Sequence, residues 1–156
     1  MESAMSAKHP IIAVTGSSGA GTTLVQHAFA EIFRRNELTP AMVHGDAFFR
    51  HEREKANEII ATSWAQGKPV SHFGPELNMF EKLEAMFADY AANGVGKVRH
   101  YVKDVGDATT HGVAPGEFTE WQPLPTDTDL LLYEGLHGGV AASTWTRRQP
   151  SPAHRP

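Results

Sequence analysis

The stretch IIAVTGSSGAGTTL, residues 11–24, restricts the fold more than any other part of the chain. Ile11 to Val14 is a short continuous apolar run that stops at Thr15-Gly16, the pattern of a buried central strand in a parallel sheet. From Thr22 onward Leu24, Val25, Ala28, Phe29, Ile32 and Phe33 recur at helical spacing, and Asn36 and Pro40 close that element. Between strand and helix lies a loop with Gly16, Gly19 and Gly21, whose permissive backbone lets successive N–H groups converge on one anion at the positive end of the helix. The spacing is that of a phosphate-binding loop, with Thr22 where the usual pattern has lysine and Thr23 where a hydroxyl normally reaches magnesium. An ammonium at that point adds a charge-assisted contact of about 1.5–3 kcal/mol, so its absence weakens a phosphate site without abolishing it. The alternative is a tight strand-to-helix turn that holds nothing.

The rest of the composition bounds the function classes. At 156 residues, 40% hydrophobic and 21% charged, the chain has the balance of one globular domain. A formal net charge of -4 provides no general attraction for nucleic acid or an anionic membrane, so an anion site has to be built locally. Cysteine is absent, which excludes disulfide frameworks and thiolate chemistry. The opening MESAMSAKHP lacks the apolar core of a signal peptide, and no run of about 18 apolar residues follows, so a cytoplasmic protein with no nucleic-acid or membrane partner is expected.

Further along, AMVH at 41–44 is read as a second strand ending in Gly45-Asp46. HEREKANEIIATSWAQGKP is read as a helix through Ala56, Ile59, Ile60 and Trp64, and another follows Pro75 with Leu77, Phe80, Leu83, Met86, Phe87 and Tyr90 on one side until Asn93-Gly94; both are expected to cover the sheet. KVRHYVKD (97–104) alternates as a strand, and GEFTEW (116–121) is expected to pair with it as an appended hairpin, followed by a turn-rich linker, QPLPTDTD. LLLY (130–133) is again a buried strand, ending in Glu134-Gly135, while STWTRRQPSPAHRP has no apolar periodicity.

Ligands of open α/β sheets sit beyond the carboxyl ends of the strands, where the glycine loop, Asp46 and Glu134 are all expected. Phosphoryl transfer needs a phosphate cradle, a carboxylate or its water shell at the metal, and a carboxylate to take the acceptor's proton. By position Asp46 is the candidate base and Glu134 the candidate metal partner. Asp46 also suits a helix N-cap in GDAFFR, and Glu134 a turn carboxylate. Arg50 and Arg53 suit either an acceptor's phosphate or a solvated helix face, and His137 either a substrate anion or a turn.

Taken together, GSSGAGTT, HGDAFFR, SHFGPE, TEWQPLP and YEGLHGG resemble bacterial members of the phosphoribulokinase and uridine kinase family, in order and spacing, from about His9 to Val140. The resemblance implies an α/β P-loop-containing nucleoside triphosphate hydrolase-like three-layer fold with a mostly parallel sheet, incomplete at the C-terminal side. It divides the chain into 1–142, the N-terminal part of a P-loop kinase domain, and 143–156, an irregular tail expected to be disordered. It also implies transfer of the terminal phosphate of ATP, with Mg2+, to ribulose 5-phosphate, giving the bisphosphate used in carbon fixation. Threonine in place of the loop lysine is typical of such bacterial proteins.

Carried over by resemblance, Gly16, Ser17, Ser18, Gly19, Ala20, Gly21, Thr22, Thr23 and Leu24 form the ATP loop. Asp46 is the base, Glu134 with Thr23 the metal side, and Arg53, Tyr101 and His137 the sugar-phosphate contacts. The chain departs from the pattern at Phe49 and Lys103, where relatives usually have histidine, and in ending where relatives continue. The expectation is a truncated kinase with little activity alone and a tendency to self-associate as a homo-oligomer. Two other readings stay open: a non-catalytic nucleotide-binding or interaction module, and a uridine kinase-like nucleoside kinase, for which the Phe49 ring is suited.

Overall fold

In the computed structural model, the structure describes residues 8–16 and 21–139, with the side chain of Thr23 excepted. Ser17, Ser18, Gly19, Ala20, the Thr23 side chain and the tail at 143–156 lie outside what is described, and so does the expectation placed on each.

Among the described residues, five strands and four helices follow in the order β1 (Ile11–Val14), α1 (Thr22–Arg35), β2 (Pro40–His44), α2 (Arg53–Ala65), α3 (Phe80–Asn93), β3 (Lys97–Val98), α4 (Val105–His111), β4 (Gln122–Pro123) and β5 (Leu130–Glu134). A 3-10 turn, Gly45–Phe48, leads out of β2. The main sheet is parallel with order β1-β5-β2. β5 is the central strand, its first four residues all buried. β1, expected as a buried central strand, flanks β5 and is only half-buried, because among the described residues it pairs on one side alone.

The pleat of β5 sorts the core into two layers, since successive side chains point to opposite faces. Leu130 and Leu132 pack with Phe33 and Phe29 of α1 and with Ile12, Val14 and Met42. Leu131 and Tyr133 face the other way, onto Leu83, Met86, Phe87 and Tyr90 of α3 and onto Ala41 and Val43 of β2. Full burial of side chains of this size contributes roughly 1.5–3 kcal/mol each, so β5 and α3 anchor the domain. The result is helix on sheet on helix.

Several elements differ from expectation. α1 uses a narrower stripe than its periodicity implies: Phe33 is buried, but Leu24 is 74% and Ile32 51% exposed. α2 does not cover the sheet; its one buried residue is Ser63, and Trp64 is exposed, because the segment serves the neighbouring cavity instead. The supposed strand 97–104 is regular only at Lys97–Val98, where it pairs antiparallel with Gln122–Pro123, part of the supposed linker. The pairing with 116–121 does form, through Thr119 N–H to His100 O, Val102 N–H to Glu117 O and a bridge between Tyr101 and Phe118. The connection within it contains α4, whose N-cap Asp104 accepts from the N–H groups of Gly106 and Asp107 at 2.8 and 3.1 Å. Helix α3 starts at Phe80, because residues 71–79 are held as a loop in which Asn78 donates to the carbonyls of His72 and Gly74.

Candidate active site

The register of the parallel sheet sets the level of the site. Val14 is paired with Glu134 and His44 with Glu134, so the three strands end together and their exits lie side by side. From β1 the chain runs into the glycine loop, from β2 into Gly45-Asp46, and from β5 into Gly135. Gly21 at the far end of the loop has φ 82 and sits at the N-terminus of α1, the left-handed backbone that glycine adopts without steric penalty. The exits of β2 and β5 nearly touch. A Cβ on Gly135 would stand 2.8 Å from the Gly45 Cα and 2.6 Å from the Tyr133 hydroxyl, so both positions require glycine for close approach.

Asp46 does not cap a helix; its carboxylate meets Lys103, with Nζ 2.8 Å from Oδ2. Burial alone would pull the Lys103 ammonium down, but the hydrogen bond and charge of Asp46, with Glu134 and Asp107 behind it, hold it above the ordinary lysine range. Glu134 is 20% exposed at the side chain and lies 3.4 Å from Nδ1 of His44. Asp46 is carried on the 3-10 turn, which is secured from outside by Arg99. The Arg99 guanidinium donates to the carbonyls of Ala47 and Phe49 and lies over the rings of Phe118 and Trp121. On the other side Met79 N–H donates to Phe48 O and Arg50 N–H to Leu77 O, tying the turn to the head of α3.

Two cavities adjoin this turn. One of about 380 Å³ is lined by Arg53, Tyr101 and His137, with Phe49, Phe73 and Leu136 among its apolar walls. The three side chains assigned to a sugar phosphate therefore share one concavity. The Arg53 Nε donates to the Tyr101 hydroxyl at 3.2 Å and its Nη2 to the Lys103 carbonyl at 2.8 Å. Burial lowers the pKa of His137, and its Nε2 is a buried nitrogen with no hydrogen-bond partner among the described residues. The other cavity, about 480 Å³, contains Asp46, Lys103, His44, His100, Asp107 and His111 on its walls. Tyr101 belongs to both, and Glu134 lines neither. Arg50 is turned away from the site, bound to Glu81 and to the carbonyls of Pro75 and Asn78, which favours a structural role. Among the described residues no group of three or more His, Cys, Asp or Glu side chains is arranged to hold a metal by itself.

The strand-end geometry agrees with a sequence profile, that of the Phosphoribulokinase / Uridine kinase family, which matches residues 11–146. The chain belongs to the phosphoribulokinase and uridine kinase family. It is 52% identical over 134 residues to a phosphoribulokinase of Nitrobacter vulgaris, covering 85% of this chain and 46% of that protein. With a probable phosphoribulokinase of Escherichia coli (strain K12) it shares 51% identity over 136 residues, 87% of this chain and 47% of the relative. Among solved structures, the phosphoribulokinase from Rhodobacter spheroides matches with a TM-score of 0.73 and 43% identity, over 84% of this chain and 44% of that one. The chain thus spans about half the length of the curated relatives it matches.

Within this family frame, the α/β fold with its mostly parallel sheet is the P-loop kinase architecture expected from the motifs. Sequence reasoning did not find the partner of Asp46, the Arg99 brace or the stacked imidazoles of His100 and His111, whose centroids are 4.0 Å apart. Each is a contact between residues on different segments. No local pattern announces it.

Proposed function

We propose that the chain carries the nucleotide cradle and the acceptor-side wall of an ATP-dependent sugar-phosphate kinase, phosphorylating ribulose 5-phosphate to ribulose 1,5-bisphosphate. The observation that carries this reading is the register: Val14, Glu134 and His44 end at one level, so the segments that follow them leave the sheet at the same edge, where ligands of open α/β sheets sit. The names of the phosphoribulokinases it resembles support the acceptor.

When bound, magnesium and ATP supply the electrophilic phosphoryl group and neutralise its charge. Glu134 and the Thr23 hydroxyl would stand on the metal side, and the amides from Gly16 to Leu24 would hold the phosphates. Asp46 takes the proton of the attacking hydroxyl. Arg53, Tyr101 and His137 orient the sugar phosphate: the guanidinium and phenol are already joined, and the neutral imidazole contributes an N–H or a lone pair. The rate of the chain alone is expected to be low. The loop has no lysine, Lys103 is engaged by Asp46, and Arg53 is engaged by Tyr101 and the Lys103 carbonyl, so stabilisation of transition-state charge is weak.

Product analysis after incubation with MgATP and ribulose 5-phosphate tests this. Bisphosphate is expected, and Asp46→Asn should slow its formation by about a hundredfold or more. Equal formation by both proteins would contradict the role of Asp46. A second reading has one specific support: the Phe49 ring, set edge-on to Tyr101 at 5.2 Å, gives the smaller cavity an aromatic wall suited to a nucleobase. Product from uridine but not from ribulose 5-phosphate would select it, and product from neither would leave a nucleotide-binding or interaction module.

A further inference from the structure

We propose that Lys103 is a latch on Asp46 that an acceptor's phosphate releases, making the chain selective for phosphorylated acceptors. This rests on the reading of Arg53, Tyr101 and His137 as the sugar-phosphate wall. Three features of Lys103 carry it.

First, its ammonium sits on the carboxylate proposed as the base. With Nζ 2.8 Å from Oδ2, one carboxylate oxygen is held by a cation, which lowers the basicity of the group toward an acceptor's proton. Second, the residue lines the larger cavity, close in sequence to Tyr101, which lines both, with its main chain fixed and its side chain open to solvent. Its N–H donates to Asp107 Oδ2 at 3.0 Å and its carbonyl accepts from Arg53 Nη2 at 2.8 Å, yet the side chain is 56% exposed. Only the flexible four-carbon stem has to move for the ammonium to change partners. Third, the competing partner would arrive nearby. Arg53 both lines the smaller cavity and holds the Lys103 backbone, so an anion bound by Arg53 comes to the residue that carries the latch.

An exposed ion pair of this kind is weak and is readily exchanged for a doubly charged phosphate. A neutral acceptor offers no such exchange and leaves Asp46 covered. Lys103 is thus a specificity residue, its ammonium covering the base until the acceptor's phosphate takes it.

Calorimetric titration with ribulose 5-phosphate, without nucleotide, tests this on four proteins: the unaltered chain, Asp46→Asn, Lys103→Met and the double variant. If the ammonium is shared between carboxylate and phosphate, Asp46→Asn frees it and tightens binding about tenfold. Lys103→Met weakens binding about tenfold, and in that background Asp46→Asn changes the affinity less than about threefold. Lys103→Gln repeats the measurement with a polar side chain should the methionine variant fold poorly. An equal effect of Asp46→Asn with and without Lys103 would show that the carboxylate only repels the ligand, and would overturn the latch. So would an unchanged affinity in Lys103→Met. Absence of binding to the unaltered chain would instead sink the acceptor assignment, and the latch with it.

Discussion

Tyr133 is fully buried under the crevice, and its hydroxyl stands where the backbones of Gly45 and Gly135 meet. Burial pushes its phenol up to about 12, with Asp46 and Glu134 adding to the rise against a hydrogen bond from the His137 N–H. The folded state therefore keeps the proton that the unfolded chain releases near pH 10. The stability this provides is complete below about pH 10 and is lost as the pH rises to about 12, up to about 3 kcal/mol in all. Urea unfolding at pH 8 and pH 11 should show about half of that loss, roughly 1.4 kcal/mol, and Tyr133→Phe should remove most of it; an unchanged slope in the variant would contradict the assignment. Arg99 is the second residue on which the site depends. Its bonds to the carbonyls of Ala47 and Phe49 hold the turn that bears Asp46, so Arg99→Met should lower unfolding stability by about 2 kcal/mol. A loss below about 0.5 kcal/mol would mean that the brace is decorative.

At the scale of elements, the meeting of β2 and β5 places Asp46 and Glu134. Gly135→Ala would drive a methyl against the Tyr133 hydroxyl and the Gly45 Cα, where nothing flexible can yield on the backbone side. A destabilisation of about 1–3 kcal/mol is expected from denaturant curves, and near-neutral behaviour would show the strand exits to be looser than described. The elements that set this meeting were legible because their residues declare themselves. LLLY between turn residues reads as a buried strand, and the apolar residues after Thr22 recur at helical spacing, as β5 and α1 show. What stayed hidden depends on neighbours. The flanking place of β1 follows from strand order, which a four-residue apolar run does not encode. Helix α4 was passed over because Val-Gly-Asp-Ala-Thr-Thr has weak helical character and is started by Asp104. The two cavities and the Asp46–Lys103 pair arise only when segments distant in sequence pack together.

At the scale of the whole molecule, one sheet edge gathers the strand exits at Thr15-Gly16, Gly45-Asp46 and Glu134-Gly135, and two cavities that share Tyr101 adjoin the Gly45–Phe48 turn. The proposed nucleotide and acceptor sides draw on different residues, so they should fail independently. Arg53→Met, which removes the guanidinium from the smaller cavity, should weaken ribulose 5-phosphate binding about tenfold while leaving nucleotide binding within about twofold. No helix among the described residues is long and apolar enough to cross a membrane. The central claim is that backbone amides after β1, with Glu134 beside them, hold a nucleoside triphosphate although Thr22 replaces the lysine. Isothermal titration with ATP and magnesium tests it most directly: saturable binding at one site, weakened about tenfold or more by Glu134→Gln, is predicted, whereas no heat at millimolar nucleotide would contradict it.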